Sequence, residues 1–319
     1  MTSIPTARGA IDSADLGRTL VHEHVFVLGE EHRLNYRPDW DEARMLDQAV
    51  SDLTDLKSRG IDTILDPTVL GLGRYIPRIR EIARRVELDI VVATGLYTFN
   101  DIPMQFHYRG PGLLFDEPEP LTELFVSDLT EGIADTGVRA AFLKCAIDQP
   151  GLTPGVERAM RAVARAARET GAPITVHTNA AEQTGTIAQR VLREEGVDLT
   201  KVIIGHAGDT ADLDYLTRLA DEGSLLGLDR FGLNGFLSFD ERVGTVVALI
   251  ERGYLDHIVI SHDASCFIDF WDADAKNTLL PQWNYRHISD DVIPELRRRG
   301  VTDRQLEAIL VDNPRRYFE

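Results

Sequence analysis

Short apolar runs, each closing on a polar residue, recur along the chain. They are Thr19 to His24 (TLVHEH), Thr63 to Asp66 (TILD), Ile90 to Thr94 (IVVAT) and Ala140 to Lys144 (AAFLK). Ile174 to His177 (ITVH), Val202 to His206 (VIIGH), Leu225 to Asp229 (LLGLD) and Ile258 to Asp263 (IVISHD) follow. Their length and β-branched content predict eight strands buried on both faces, as a parallel sheet requires. Helical patterns lie between them. Asp41 to Ser58 carries Met45, Val50, Leu53 and Leu56 near helical spacing. Glu157 to Thr170 is rich in Ala and Arg, with Gly171 as a stop and Pro173 beyond it. Thr210 to Glu222, Asp240 to Arg252 and Thr302 to Leu310 read the same way, the last with a start at Thr302 and Asp303.

Strands alternating with helices eight times predict an α/β fold, a single (β/α)8 TIM barrel. The rival is a doubly wound open sheet, which brings a Gly-rich first turn. Here the first run continues as HEHVFVLG, with no G-x-G-x-x-G. Residues 1–18 precede the first strand and predict a short N-terminal hairpin. Two stretches, 97–120 and 264–290, are too long for simple connections; they follow strands 3 and 8, where barrel enzymes build their sites. The second holds Phe267, Phe270, Trp271, Trp283 and Tyr285, either packed on one another or forming a lid over a substrate. With no repeat or linker, 1–319 reads as one domain.

Charge narrows the partners. The chain has 52 acidic and 34 basic side chains, a net −18, which repels nucleic acid and anionic membranes. No apolar run approaches the ~18 residues of a membrane span, and the N-terminus lacks a secretory signal pattern. Cys145 and Cys266 show no metal or redox spacing, so a reducing cytoplasm is the expected location.

His22 and His24 are two apart on the first predicted strand, which places both on one face and Glu23 on the other. His177, His206 and Asp263 each end another predicted strand, and in a barrel those ends converge on one rim. Four imidazoles and a carboxylate there suit a divalent transition metal such as zinc. Five ligands exceed what one open zinc site uses, which points to two metals. Lys144 sits in an apolar run, where an ammonium is costly. It is an ion-paired or snorkelling lysine, a Schiff-base nucleophile, or a neutral amine that takes up CO2 to become a bridging carbamate. The surrounding ligands rank the carbamate first. His262 alternates with Asp263, so it faces away and has no metal role. His32, His107, His257 and His287 are read as surface or structural.

HEH at 22–24, FLKCA around Lys144, VHT around His177, GHAGD around His206, LDRFGL at 228–233 and SHDAS around Asp263 together resemble the phosphotriesterase family of the amidohydrolase superfamily. The nearest branch is the phosphotriesterase-like lactonases. GRTLVHEH, GLGRYIPRI from Gly71, VVATGLYTFND and the terminal DNPRRYF extend the match over nearly the whole chain. The resemblance implies a barrel with two divalent metals (Zn, with Co, Fe or Mn as alternatives). His22, His24 and Asp263 would hold one, and His177 and His206 the other, bridged by N6-carboxylated Lys144 and a hydroxide. It also implies hydrolysis of N-acyl-homoserine lactones and related γ- and δ-lactones, side activity on phosphotriesters and aryl esters, and a homodimer. Degradation of quorum signals and general lactone metabolism are both compatible roles.

On this reading the hydroxide attacks the lactone carbonyl, and Asp263 takes its proton and returns it to the leaving alkoxide. Tyr97 donates from its phenol or anchors the loop behind it. Arg230 contacts substrate, braces the last loop or pairs with an acid. Asp66 orients a neighbour. Ser265, Cys266, Phe270 and Trp271 are candidates to line a substrate channel. The alternatives are a primary phosphotriesterase on the same site, a Lys144 Schiff-base lyase, and a non-catalytic binding barrel.

Overall fold

The computed structural model describes residues 2–319. An antiparallel hairpin of β1 (Ser3–Thr6) and β2 (Gly9–Asp12) comes first, in register Ser3 to Asp12. Eight parallel strands follow in the order β3, β5, β6, β7, β8, β9, β10, β11. They are β3 (Thr19–Leu20), β5 (Thr63–Asp66), β6 (Asp89–Gly95), β7 (Phe142–Ala146), β8 (Ile174–His177), β9 (Val202–Gly205), β10 (Leu225–Leu228) and β11 (Ile258–Ile260). Two further strands, β4 (His24–Val27) and β12 (Ser265–Ile268), pair in parallel with each other. The predicted barrel with its N-terminal hairpin is the fold observed.

Alternation within the strands sorts the core into two clusters. Ile64, Ile90, Val92, Leu143, Val176, Leu226 and Ile258 face the helix layer. Leu65, Val91, Ala93, Phe142, Ile203, Leu225 and Val259 pack together inside the barrel, closed below by Ile4, Leu16, Tyr317 and Phe318. Burying each Val, Leu, Ile or Phe side chain among them contributes about 1.5–3 kcal/mol. The inward parity carries on up the strands: Lys144 is two beyond Phe142, and His177 is two beyond Thr175, whose hydroxyl meets the Tyr317 hydroxyl at 2.9 Å. The titratable Lys144 and His177 therefore enter the barrel above its apolar floor. At Gly95 (φ +143°) a Cβ would sit 1.9 Å from the Lys144 carbonyl oxygen, so only glycine lets β6 lie this close to β7 there.

The helices begin where local chemistry caps them. α1 (Glu42–Ser58) starts after Asp41, whose carboxylate accepts from the Arg44 N–H. α2 (Ile76–Ala83) and α3 (Pro120–Thr130) follow β5 and β6. α4 (Pro154–Thr170) starts three residues before the predicted Glu157, because Thr153 caps it and Pro154 fits the first turn, where no N–H is needed. Gly171, left-handed at φ +76°, ends it as predicted. α5 (Thr184–Glu194), α6 (Leu213–Asp221) and α7 (Phe239–Glu251) complete the outer layer before the C-terminal helical segments. No helix among the described residues is long and apolar enough to cross a membrane.

Two strand predictions need correction. The first run is not one strand: β3 stops at Leu20, residues 21–23 leave the ladder, and β4 resumes against β12. The eighth stops at Ile260, and Asp263 turns into the left-handed region at φ +57°. Both breaks have one cause, which is closure between the first and last strands. His22 N–H donates to Ser261 Oγ (2.9 Å), Asp263 N–H to the His22 carbonyl (3.0 Å) and His24 N–H to the Ala264 carbonyl (2.8 Å). The stretch predicted as a long last loop is accordingly part strand (β12) and part helix (Ala273–Leu279).

Candidate metal centre

The upper ends of the strands bring His22, His24, Lys144, His177, His206 and Asp263 to one cavity of about 200 Å³. All but Asp263 are buried, and Asp263 is nearly so. Donor atoms of His22, His24 and Asp263 lie within 4.8 Å of one another, and so do those of His22, His206 and Asp229. These two buried His/Asp groups are consistent with a binuclear metal centre.

Orientation of the imidazoles is fixed from outside. Asp229 spans two of them, with Oδ2 2.7 Å from His22 Nδ1 and Oδ1 3.0 Å from His206 Nδ1, and Oδ1 also accepts the His206 N–H (2.7 Å). Both Asp229 oxygens are thus committed, and the two Nε2 atoms are left facing inward. His24 Nδ1 meets Thr68 Oγ1 at 2.7 Å, and that hydroxyl donates to Asp66 Oδ1 at 2.5 Å. Asp66 therefore orients its neighbour, as expected, through Thr68. Asp148 Oδ2 holds His177 Nε2 at 2.6 Å, leaving His177 Nδ1 2.9 Å from His206 Nε2. Carboxylates that grip one ring nitrogen and present the other are the usual support of metal-binding histidines.

Burial lowers the pKa of His22, moves His206 well below its usual value and brings His177 to about 4. These rings are neutral with lone pairs available, the state a metal requires. Burial acts to raise the Asp263 carboxyl, but His22, His24, His206 and Arg230 outweigh it and hold it well below the usual range. Burial also brings Lys144 down to about 8, with its Nζ 3.4 Å from His22 Nε2. A buried amine whose proton is held this much more weakly than usual, facing an imidazole, fits a site that must accept cations. The donor set therefore suits divalent transition metals.

Among the other predicted residues, Arg230 is 2.9 Å from Asp263 Oδ2 through Nε and 3.0 Å from Asp209 Oδ2 through NH1. Asp209 is in turn held by the buried Arg242 at 2.7 Å. Tyr97 lines the cavity with its hydroxyl 3.5 Å from His177 Nδ1, and burial raises its pKa, so the phenol keeps its proton. Ser265, Phe270 and Trp271 line the cavity too, with Phe270 and Trp271 exposed. Cys266 does not line it. Strand alternation in β12 turns its thiol toward Tyr285, 3.4 Å away, and the Tyr285 hydroxyl donates to the His24 carbonyl.

Sequence reasoning missed Asp229, Asp148, Asp209 and Thr68 as functional supports. Asp229 closes the seventh apolar run just as the predicted ligands close theirs, so the signal was present. Asp148, two residues beyond β7, carried none.

Glu23, turned away from the cavity, forms a buried clamp. Its Oε1 accepts from Ser261 Oγ (2.8 Å), His262 N–H (2.8 Å) and His262 Nδ1 (2.7 Å), and its Oε2 from Ala264 N–H (3.0 Å). His262 Nε2 accepts the Ile288 N–H at 2.9 Å, so that ring is structural, as expected. Glu23→Gln points an amide N–H at one of these donors. It is expected to cost about 2–3 kcal/mol in urea denaturation, the penalty of an unsatisfied buried group; unchanged stability would contradict the clamp.

A pH effect follows from His177. Its folded pKa of about 4 lies below the ordinary 6.5, so the unfolded chain binds more protons between those values. Stability of the metal-free protein should fall as pH drops through that window, by on the order of 2 kcal/mol at pH 5 from this residue alone. Denaturation midpoints at pH 7 and 5 check it, and His177→Gln should flatten the slope.

The sequence pattern of the phosphotriesterase family matches residues 2–318. The chain is 54% identical over 320 residues to a phosphotriesterase homology protein of Mycobacterium tuberculosis H37Rv, covering 100% of this chain and 98% of that one. It is 41% identical over 313 residues to an aryldialkylphosphatase of Saccharolobus solfataricus, covering 98% of each. Among solved structures, the phosphotriesterase from Mycobacterium tuberculosis superposes with a TM-score of 0.98 at 54% identity, covering 100% of this chain and 98% of that one.

Proposed function

The chain belongs to the phosphotriesterase family of metal-dependent hydrolases, and from that premise we propose that it opens lactone rings, N-acyl-homoserine lactones and related γ- and δ-lactones above all. The observation that carries this reading is the pairing of the His/Asp/Lys constellation with an apolar cavity wall. Val27, Leu72, Leu233, Phe236, Ile268 and Trp283 line the same space as the polar cluster. Such a wall suits a neutral ester with an apolar arm. Two divalent cations, held by His22, His24 and Asp263 and by His177 and His206 with a carboxylated Lys144 between them, would supply Lewis acidity and a hydroxide nucleophile near neutral pH.

The protein's own groups do the rest. Asp263, anionic and steadied by Arg230, takes a proton from the nucleophile. Opening a lactone expels an alkoxide, a poor leaving group that needs a proton back. Asp263, once protonated, is placed to return it, and the Tyr97 phenol, kept protonated by burial, can hydrogen-bond to the developing oxygen. A phosphotriester with an aryl leaving group needs no such help. Phosphotriester hydrolysis as the main activity is the second reading, favoured by the likeness to the aryldialkylphosphatase.

The test is a pH-indicator assay of metal-loaded protein on acyl-homoserine lactones and γ- and δ-lactones, with a neutral phosphotriester alongside. We expect kcat/KM for the best lactone to exceed that for the triester by ~100-fold, about 2.7 kcal/mol in transition-state binding. The reverse order would make the protein a phosphotriesterase.

A further inference from the structure

At the opposite end of the barrel lies a separate concavity of about 300 Å³. Its walls are the turn between β1 and β2, the C-terminal end of α2 and the turn that precedes β7. Four arginines, Arg8, Arg80, Arg84 and Arg139, line it, and its lining includes no carboxylate. In a chain with 52 acidic against 34 basic side chains, such a concentration of one sign is against the trend of the whole surface.

The arginines are also largely uncompensated. Arg8 is tied down, donating to the Val86 carbonyl (2.9 Å) and to Asp89 (3.0 Å), with Glu87 at 3.7 Å. Arg84 has only Glu81, at 3.9 Å. Arg80 and Arg139 make no ion pair and no side-chain hydrogen bond among the described residues. Three of the four arginines that line the hollow, Arg80, Arg84 and Arg139, thus donate no side-chain hydrogen bond among the described residues. Guanidinium pairs bidentately with phosphate-like oxygens, and clustered cations repel until an anion joins them.

We infer that this concavity binds a small polyanion of the pyrophosphate type. Two linked phosphate groups, with three to four negative charges, match the three free guanidiniums, and a single phosphate leaves one of them unmatched. The site is distinct from the metal centre. Arg8 pairs with Asp89 at the start of β6, whereas Tyr97 in the cavity follows the end of that strand, about 20 Å away at ~3.3 Å per residue. Its ligand also differs in kind from the neutral esters proposed above, so the inference does not depend on that reading.

Titration calorimetry of the metal-loaded protein with inorganic pyrophosphate tests it, at ionic strength fixed with chloride and with metal content measured before and after. The expected result is one saturable site, weakened at least 10-fold in Arg80→Ala/Arg139→Ala and a few-fold in Arg84→Ala. Circular dichroism, metal content and turnover should be unchanged in these variants. A site at 100 times its Kd should raise Tm by about 4 °C in the parent and not in the double variant. No saturable binding, or equal binding by parent and double variant, would overturn the inference; the latter would place pyrophosphate at the metal centre.

Discussion

Asp263→Asn is expected to lower kcat/KM for lactones by 10³-fold or more, about 4 kcal/mol in transition-state stabilisation. The substitution preserves size and leaves the closing hydrogen bond from the residue 263 N–H to the His22 carbonyl in place. What it removes is the negative charge that sits 3.3 Å from His24 Nε2 and 2.9 Å from Arg230 Nε. Three consequences then coincide. A proton acceptor is lost, which by itself is worth about 10²–10⁴-fold. On the proposed reading an anionic metal donor also becomes neutral. Arg230, largely buried, keeps Asp209 as its one carboxylate partner among the described residues. Steady-state kinetics with metal content on the same preparation separates these effects, because full metal occupancy with a large loss of turnover isolates the proton transfer. Turnover within tenfold of the parent would remove Asp263 from the chemistry.

Lys144→Ala carries the second largest effect, a loss of 10²–10³-fold or more in turnover together with part of the metal. Lys144 is 1% exposed, sits above the apolar floor of the barrel, and reaches His22 and no carboxylate within hydrogen-bonding distance. An ordinary buried ammonium in that position would stand beside the His22 ring with no carboxylate hydrogen-bonded to it, an arrangement that burial penalises. With a pKa near 8 the amine is partly neutral at physiological pH, the form that takes up CO2. If the carbamate is the bridging anion, short carboxylic acids such as acetate or propionate at tens of millimolar should restore part of the activity to Lys144→Ala, since each supplies a carboxylate to the vacated space. Lys144→Arg leaves no such space and should not respond. Full activity in Lys144→Ala would reject the role, whereas a borohydride-trapped adduct of the parent with substrate would revive the Schiff-base reading.

Much of this was legible along the chain because barrel strands announce themselves locally. A buried parallel strand must be apolar on both faces, so a polar residue closing each run marks the rim. That rule located His177, His206, Asp263 and Lys144, and applied evenly it would also have flagged Asp229. The caps of α1 and the stop of α4 are equally local, since a carboxylate one residue before a helix and a left-handed glycine after it act within a single turn. What escaped were relations between segments distant in sequence. His22 and His24 meet at the centre although they are not on one continuous strand. Cys266 turns away from the cavity because β12 pairs with β4, a register that no local pattern specifies.

By itself the sequence determined the number and order of the barrel strands, the inward parity that carries Lys144 and His177 into the barrel, and the set of residue types able to hold metal. Periodicity and side-chain chemistry are properties of neighbours along the chain. Only the tertiary structure decided that Asp229 serves both His22 and His206, that Asp148 holds His177, that Arg230 is committed to Asp263 and Asp209, and that four arginines gather at the far end. Those partners come from different strands and turns, and their approach is fixed by closure of the barrel, which brings together groups as far apart in sequence as His22 and Asp263.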